Sequence, residues 1–296
     1  MISYSQNLED VMIARLFPHE YRGFYIDVGA ADPENLSVTC HFYNQGWSGV
    51  NVEPVTKFYD RLQQMRPRDI TLKVAIGDTP GKSLFFEAQE INENSGLSEQ
   101  LYRDFISKNI DVNVHTVEVI TLENLCDQYA QTRNIDFLKI DVEGTELSVL
   151  KSNNWTKYRP LLLIVEAVVV NGIVENWHEW EPFVLSKGYT KVWFDGLNNF
   201  YLREEDVQLH SVFNSPPNVF DRYETAHAVA LKKHCDDRLE LINRLTATCE
   251  ERLDLINQLN QTCIERNSII NRLSDELDNL RKLYAERLIS IQKRSK

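Results

Sequence analysis

Long apolar runs are missing from this sequence. Spanning a bilayer takes roughly 18 consecutive apolar residues. The longest stretch here, 161–170, is interrupted by Glu166, so no membrane insertion is expected. The opening MISYSQNLEDVM lacks the basic-then-apolar order of a signal peptide, which makes the cytoplasm the expected location. Cysteine is sparse and scattered. Cys40, Cys126, Cys235, Cys249 and Cys263 form neither a CxxC nor a Cys/His cluster, which argues against a zinc site or a disulfide scaffold. Positive charge is also short, with 32 Lys and Arg against 44 Asp and Glu and a net charge of −12. From Cys235 onward the two classes balance at 11 each, so the first 234 residues, with 21 basic and 33 acidic groups, carry the whole excess. Affinity for a phosphate backbone starts from clustered Lys and Arg, so a nucleic-acid partner is not expected. What the chain does have is apolar material, 43% hydrophobic and 10% aromatic, enough to bury a core.

From Phe24 to about Arg203, short apolar runs alternate with helical stretches, the rhythm of a parallel α/β sheet. Strands are predicted at 24–30, 49–54, 71–78, 136–142, 161–167, 191–196 and 199–204, with helices near 36–46, 55–65, 121–131, 143–152 and 177–187. SLFFEA (83–88) and VNVHTVEVI (112–120) read as an additional strand pair around a less regular insert. The last two sheet strands meet at Asp195-Gly196-Leu197-Asn198, a turn short enough for an antiparallel hairpin. The sheet is therefore predicted to be mostly parallel, closed by one reversed strand.

Neither proline nor glycine occurs after Asn218, which suits an uninterrupted helix. Residues 235–248 (CDDRLELINRLTAT) and 249–262 (CEERLDLINQLNQT) are identical at eight of 14 positions, and a looser third copy follows. Fourteen residues are two heptads. Position a then holds Cys235, Ile242, Cys249, Ile256, Cys263 and Ile270, and position d alternates Arg238, Arg252 and Arg266 with Leu245, Leu259 and Leu273. This predicts a coiled coil over 235–292 that joins copies of the chain as a dimer or trimer. A globular domain over 1–225 and a junction at 226–234 complete the predicted organisation.

The first predicted strand runs into Asp27-Val28-Gly29-Ala30-Ala31-Asp32. A glycine lets the backbone approach a ligand, but the three-glycine dinucleotide fingerprint is absent. Acids at this turn repel phosphate and welcome a cation. Glu53 ends the second strand about 24 residues after Gly29, where an acid can bind two ribose hydroxyls. Ala75-Ile76-Gly77-Asp78 offers an apolar surface and one acceptor for an adenine. A cationic nucleoside without phosphates fits this set, which points to S-adenosylmethionine.

The stretches YSQNLEDVMIARLF, FYIDVGAADPENLSVTCHFYNQGWSGVNVEP, VAIGD, FLKIDVEGTELSVLKS and FDGLNNFYLREE resemble the FkbM-type methyltransferase family over roughly 3–205. The resemblance implies a class I methyltransferase fold, S-adenosylmethionine as donor and a hydroxyl acceptor, often in polysaccharide or natural-product biosynthesis. It places the donor turn on Asp27, Gly29, Ala30 and Asp32, the ribose acid on Glu53 and the adenine-side acid on Asp78. Gln6, Asn35, Ser37, Pro54, Ala75, Gly77 and Asp141 complete the expected donor-binding set. Gln6 is also a candidate cap for the first helix, and Asn198 a candidate for the hairpin turn.

Methyl transfer to a hydroxyl needs an aligned acceptor and a proton acceptor. Asp141, Glu143, Glu166 and His178 are the catalytic candidates. Asp141, Glu143 and Glu166 are expected at the carboxyl ends of adjacent central strands, where ligands bind in open α/β sheets. Glu143 also reads as an acid at a helix start, and His178 as a structural residue of a Trp-rich helix start. Three carboxylates could bind a divalent metal, but none is assigned. The expectation is an O-methyltransferase for a sugar hydroxyl of a bacterial polysaccharide or glycoconjugate, with a glycan-synthesising enzyme as a candidate partner. Methylation of a small natural product, and a non-catalytic recruitment module on a degenerate fold, are the alternatives.

Overall fold

The computed structural model describes residues 1–89, 95–168 and 177–294. Its centre is a seven-stranded sheet. In chain order the strands are β1 (Phe24–Val28), β2 (Ser48–Val52), β3 (Ile70–Leu72), β4 (Phe137–Ile140), β5 (Leu162–Glu166), β6 (Tyr189–Phe194) and β7 (Asn198–Arg203). Their spatial order is 6-7-5-4-1-2-3. β7 runs antiparallel to both β5 and β6, and the pairs β5–β4, β4–β1, β1–β2 and β2–β3 are parallel. The reversed strand is therefore inserted between β5 and β6, not added at the edge. Every residue of β1, β4 and β5 is buried, as expected for parallel strands covered on both faces.

Alternation along these strands builds two cores. Ile26, Val28, Leu138, Ile140, Leu163 and Val165 face Leu125, Val149 and Val184 from helices Leu122–Tyr129, Glu146–Lys151 and Glu181–Ser186. Tyr25, Phe137, Leu162, Ile164 and Phe200 face Met12 and Ile13 of helix Glu9–Ala14, Phe42 of helix Cys40–Asn44, and Trp47. The chain leaves β1 toward β2 and β3 on one side, while β4 and β5 lie on the other. That makes the β1/β4 boundary the switch point at which open α/β sheets bind ligands.

The expected strand over 71–78 divides in two. Ile70–Leu72 joins the main sheet, whereas Ala75–Ile76 pairs parallel with Val119 and Ile120 in a separate three-stranded sheet. That second sheet contains the expected pair, Gly81–Ala88 antiparallel to Val112–Ile120. The insert between them also contains a helix not foreseen, Glu99–Ser107, capped by Ser98 Oγ accepting from the Leu101 N–H. The helix expected near 177–187 is a 3-10 turn, Trp177–Glu179, followed by Glu181–Ser186.

Contacts divide the chain into Met1–Ala228 and Val229–Lys296. The second unit belongs to a single helix, Ala226–Arg294, so the expected junction at 226–234 is itself helical. Every residue from 230 to 291 is exposed in the single chain, including Ile242, Leu245, Ile256 and Leu259. No helix among the described residues is long and apolar enough to cross a membrane.

Candidate active site

A cleft of about 350 Å³ opens at the carboxyl ends of β1, β2, β4 and β5. Its first wall is the turn after β1. Gly29 adopts φ +81, and a Cβ there would lie 1.8 Å from the Asp141 carbonyl oxygen, so the ends of β1 and β4 touch only because this residue is glycine. Ala31, Leu36 and Glu143 adopt left-handed backbone at φ 47, 55 and 56, and all three line the cleft. Such conformations cost about 1–3 kcal/mol each and persist where surrounding structure enforces them. Arg66, buried, supplies part of that enforcement by donating to Thr39 Oγ1 at 2.6 Å, to Ser37 Oγ at 2.7 Å and to the Pro33 carbonyl.

Glu53 is 4% exposed and braces this turn. Its Oε2 accepts from the Ala31 N–H at 2.8 Å and its Oε1 from the Val55 N–H at 2.7 Å. Burial pushes its pKa up to about 7, against those two donors. Glu9, 2% exposed, is likewise pushed up to about 7, first by burial and then by Asp195, while accepting from Asn198 Nδ2 at 2.9 Å. Both folded-state values lie above the ordinary 4.5. Stability from these groups is therefore fully present below about 4.5 and lost as pH rises through about 7. The urea midpoint is expected to be higher near pH 5 than near pH 8, and a rise across that window would contradict these two assignments.

Asp141, Glu143 and Glu166 form the opposite wall. One oxygen from each lies within 4.8 Å of the others, close enough to share a proton or a cation. Glu166 ends β5 and is 9% exposed. Burial raises its pKa well above the ordinary value, and Asp141 and Glu143 raise it further. Glu143 is raised as well, by burial and then by Asp141, and its Oε2 is buried without a hydrogen-bond partner. Glu143 was expected to begin a helix and does not, because helix Glu146–Lys151 starts three residues later. Glu146 occupies that first turn and accepts from the Gly144 N–H at 2.9 Å.

Of the expected donor-binding residues, Gln6, Gly29, Ala30, Asn35, Ser37, Glu53, Pro54, Ala75 and Asp141 line the cleft. Asp27, Asp32, Gly77 and Asp78 do not. Asp27 lies buried behind it, accepting from Thr39 Oγ1 at 3.0 Å. Asp32 accepts from the Glu34 and Asn35 N–H groups at 2.9 Å and pairs with Arg61, so it shapes the turn from outside. Asp78 is exposed and its Oδ1 accepts from Ser148 Oγ at 3.0 Å. Gly77 donates to the Ile120 carbonyl at 3.1 Å.

His178 is not brought to the cleft. It is exposed in its 3-10 turn with its ring 3.7 Å from that of Trp177. Gln6 faces the cleft and does not cap the first helix, which has no side-chain cap. Asn198 serves the hairpin, its N–H donating to Asp195 Oδ1 at 2.6 Å.

Sequence reasoning missed Lys139, the one Lys or Arg among the described residues lining the cleft. Its signal was a cation inside the apolar run Phe137–Ile140. The insert's Ser95, Gly96 and Leu97 were missed as well, and they reach the cleft only through tertiary packing.

The methyltransferase FkbM domain family matches residues 27–191, more than half of the chain. Among solved structures, the chain is similar to methyltransferase FkbM from Methylobacillus flagellatus KT at 15% identity and a TM-score of 0.39, over 62% of this chain and 44% of that one. It is similar to a TehB-like SAM-dependent methyltransferase from Corynebacterium glutamicum ATCC 13032 Kitasato at 11% identity and a TM-score of 0.36, over 66% of this chain and 86% of that one. The chain thus spans less than half the length of the FkbM structure. No curated protein matches it.

Proposed function

Because the chain belongs to the methyltransferase FkbM domain family, with the class I methyltransferase fold and S-adenosylmethionine as its cofactor, we propose that it is an O-methyltransferase acting on a sugar hydroxyl of a bacterial polysaccharide or glycoconjugate. The observation that carries this reading is the carboxylate group Asp141, Glu143 and Glu166 at the wall of the cleft. A hydroxyl must lose a proton as it is methylated, and a carboxylate whose pKa is raised above the ordinary value is, in its ionised form, a stronger proton acceptor.

The lining chemistry fits the cofactor. Among the described residues four acids, Glu53, Asp141, Glu143 and Glu166, face the cleft, and the single cation there, Lys139, is already engaged by carboxylates. That suits a positively charged nucleoside and not a phosphate. Bound there, the cofactor supplies a methyl group already activated by its sulfonium. Glu53 would hold the ribose, the turn from Gly29 to Ala31 and Asp141 the amino-acid end, and Val74, Ala75, Ile76 and Phe85 the adenine. The chain's own part is to seat the acceptor oxygen and take its proton on Glu166. The same acidity favours a neutral polyol over an anionic acceptor.

The proposal includes a cytoplasmic location, where the donor is made, and self-association through helix Ala226–Arg294, which could also hold the catalytic unit beside a glycan-synthesising enzyme.

Ionised Glu53 can accept from both ribose hydroxyls, and its protonated form cannot. Donor affinity is therefore expected to fall as pH drops through about 7, by several-fold between about pH 8 and pH 6, as read by calorimetry with the demethylated product. A flat profile would remove Glu53 from the ribose site. The acceptor is tested by incubating the protein and labelled donor with neutral oligosaccharides, their phosphorylated forms and amine-bearing analogues. Label found only on nitrogen would defeat the O-methyl assignment.

A further inference from the structure

Lys139 has no part in the chemistry described so far, yet it stands where the two halves of the sheet meet. It lies directly across from Asp27 in the β1–β4 register. It also shares a strand face with Asp141, two residues on. Its ammonium is 3.1 Å from Asp141 Oδ2, 3.3 Å from the Gly29 carbonyl oxygen and 3.7 Å from Asp27 Oδ1. The residue is only 8% exposed. One buried cation thus connects the donor turn after β1 to the acid that ends β4, at the switch point.

We propose that Lys139 is a positioning residue for the methyl donor, holding the Asp141 carboxylate and the Gly29 carbonyl as one preformed pair of acceptors for the donor's ammonium group. The proposal rests on the donor reading above. A lysine can do this because its N–H donors reach both the Asp141 carboxylate and the Gly29 carbonyl while its charge faces Asp27. The charges around it make it necessary. Asp27 faces it from β1, Glu53 from the end of β2, Asp141 and Glu143 from the turn after β4 and Glu166 from β5, while Glu146 acts on Glu143 and Glu166 from the following helix and Arg66 on Asp27 from behind. Without Lys139, no cation lines the cleft among the described residues. Nothing would then fix the Asp141 carboxylate beside the Gly29 carbonyl, and the two acceptors would no longer be preformed.

The test is calorimetry on the full chain with S-adenosylmethionine and its demethylated product. Lys139→Met is expected to weaken both at least about tenfold near pH 7, while binding of methylthioadenosine, which lacks the ammonium group, changes little. That single change leaves buried Asp27 with Arg66 behind it as its remaining cation, which can cost folding. The pair Asp27→Asn/Lys139→Met removes both charges and should fold, with donor affinity still down at least about tenfold. A folded double variant that binds the donor like the parent would overturn the proposal, as would a Lys139→Met loss just as large for methylthioadenosine. Absence of binding by the parent protein would instead defeat the donor reading itself, which keeps the two failures distinct.

Discussion

Glu166→Gln is expected to slow methyl transfer about 10²-fold, the usual contribution of a positioned general base, while donor affinity changes little. The substitution keeps the shape of a side chain that is 9% exposed at the end of β5 and removes its capacity to take a proton. The site already crowds three carboxylates within 4.8 Å, so removing one charge relieves repulsion and should stabilise the fold. A mutant that melts higher yet turns over slowly is therefore the expected result, a combination that simple structural damage would not produce. The effect should appear in the rate at saturating acceptor, because the interaction is made as the proton leaves. Undiminished turnover would assign the base elsewhere. His178 would not be the first substitute, since it does not line the cleft. Asp141 and Glu143 would be the candidates to test next.

Removing the long helix is expected to convert an oligomer into a monomer that still binds the donor. Ending the chain after Ala228 keeps the compact unit Met1–Ala228 whole. It also keeps the short parallel pairing of Ile2 and Ser3 with Glu224 and Thr225, and the Arg15–Asp221 ion pair at 2.7 Å, that fasten the end of that unit. What is lost is all but the first three residues of a 69-residue helix, about 100 Å of it. Ile242, Leu245, Ile256, Leu259, Ile270, Leu273, Leu277 and Leu280 are all exposed on it in the single chain. Leu239, Leu241, Leu253 and Leu255 flank that seam and are exposed too, so the apolar face is wider than a strict a/d stripe. Only another helix can cover such a face in water. Light scattering on both lengths decides it, and a monomeric full-length chain would leave the face to a different protein. In a parallel register, mild oxidation should also crosslink full-length chains through Cys235, Cys249 or Cys263, which are exposed and free.

Much of this architecture is local and therefore legible in the chain. Apolar runs such as Tyr25–Val28 and Leu162–Val165 write the buried strands directly, because a strand covered on both faces has no polar alternation to maintain. Gly29 and the acid-rich turn around it mark one wall of the cleft, and the 14-residue repeat marks the helix, since each depends on residues a few positions apart. Which acids face the cleft was not local. Asp32 is turned outward by Arg61, 29 residues away, and Asp78 is held by Ser148, 70 residues away, so two members of one motif series end up outside the cleft. Glu53 faces the cleft, but the folded turn engages both of its oxygens. The role we propose for Lys139 exists only because β1 and β4, more than a hundred residues apart, pair in the register that sets it opposite Asp27. Hydrophobic pattern and turn chemistry are properties of neighbours along the chain. The direction and charge state of a buried polar group depend on partners that only strand pairing and packing bring within hydrogen-bond reach.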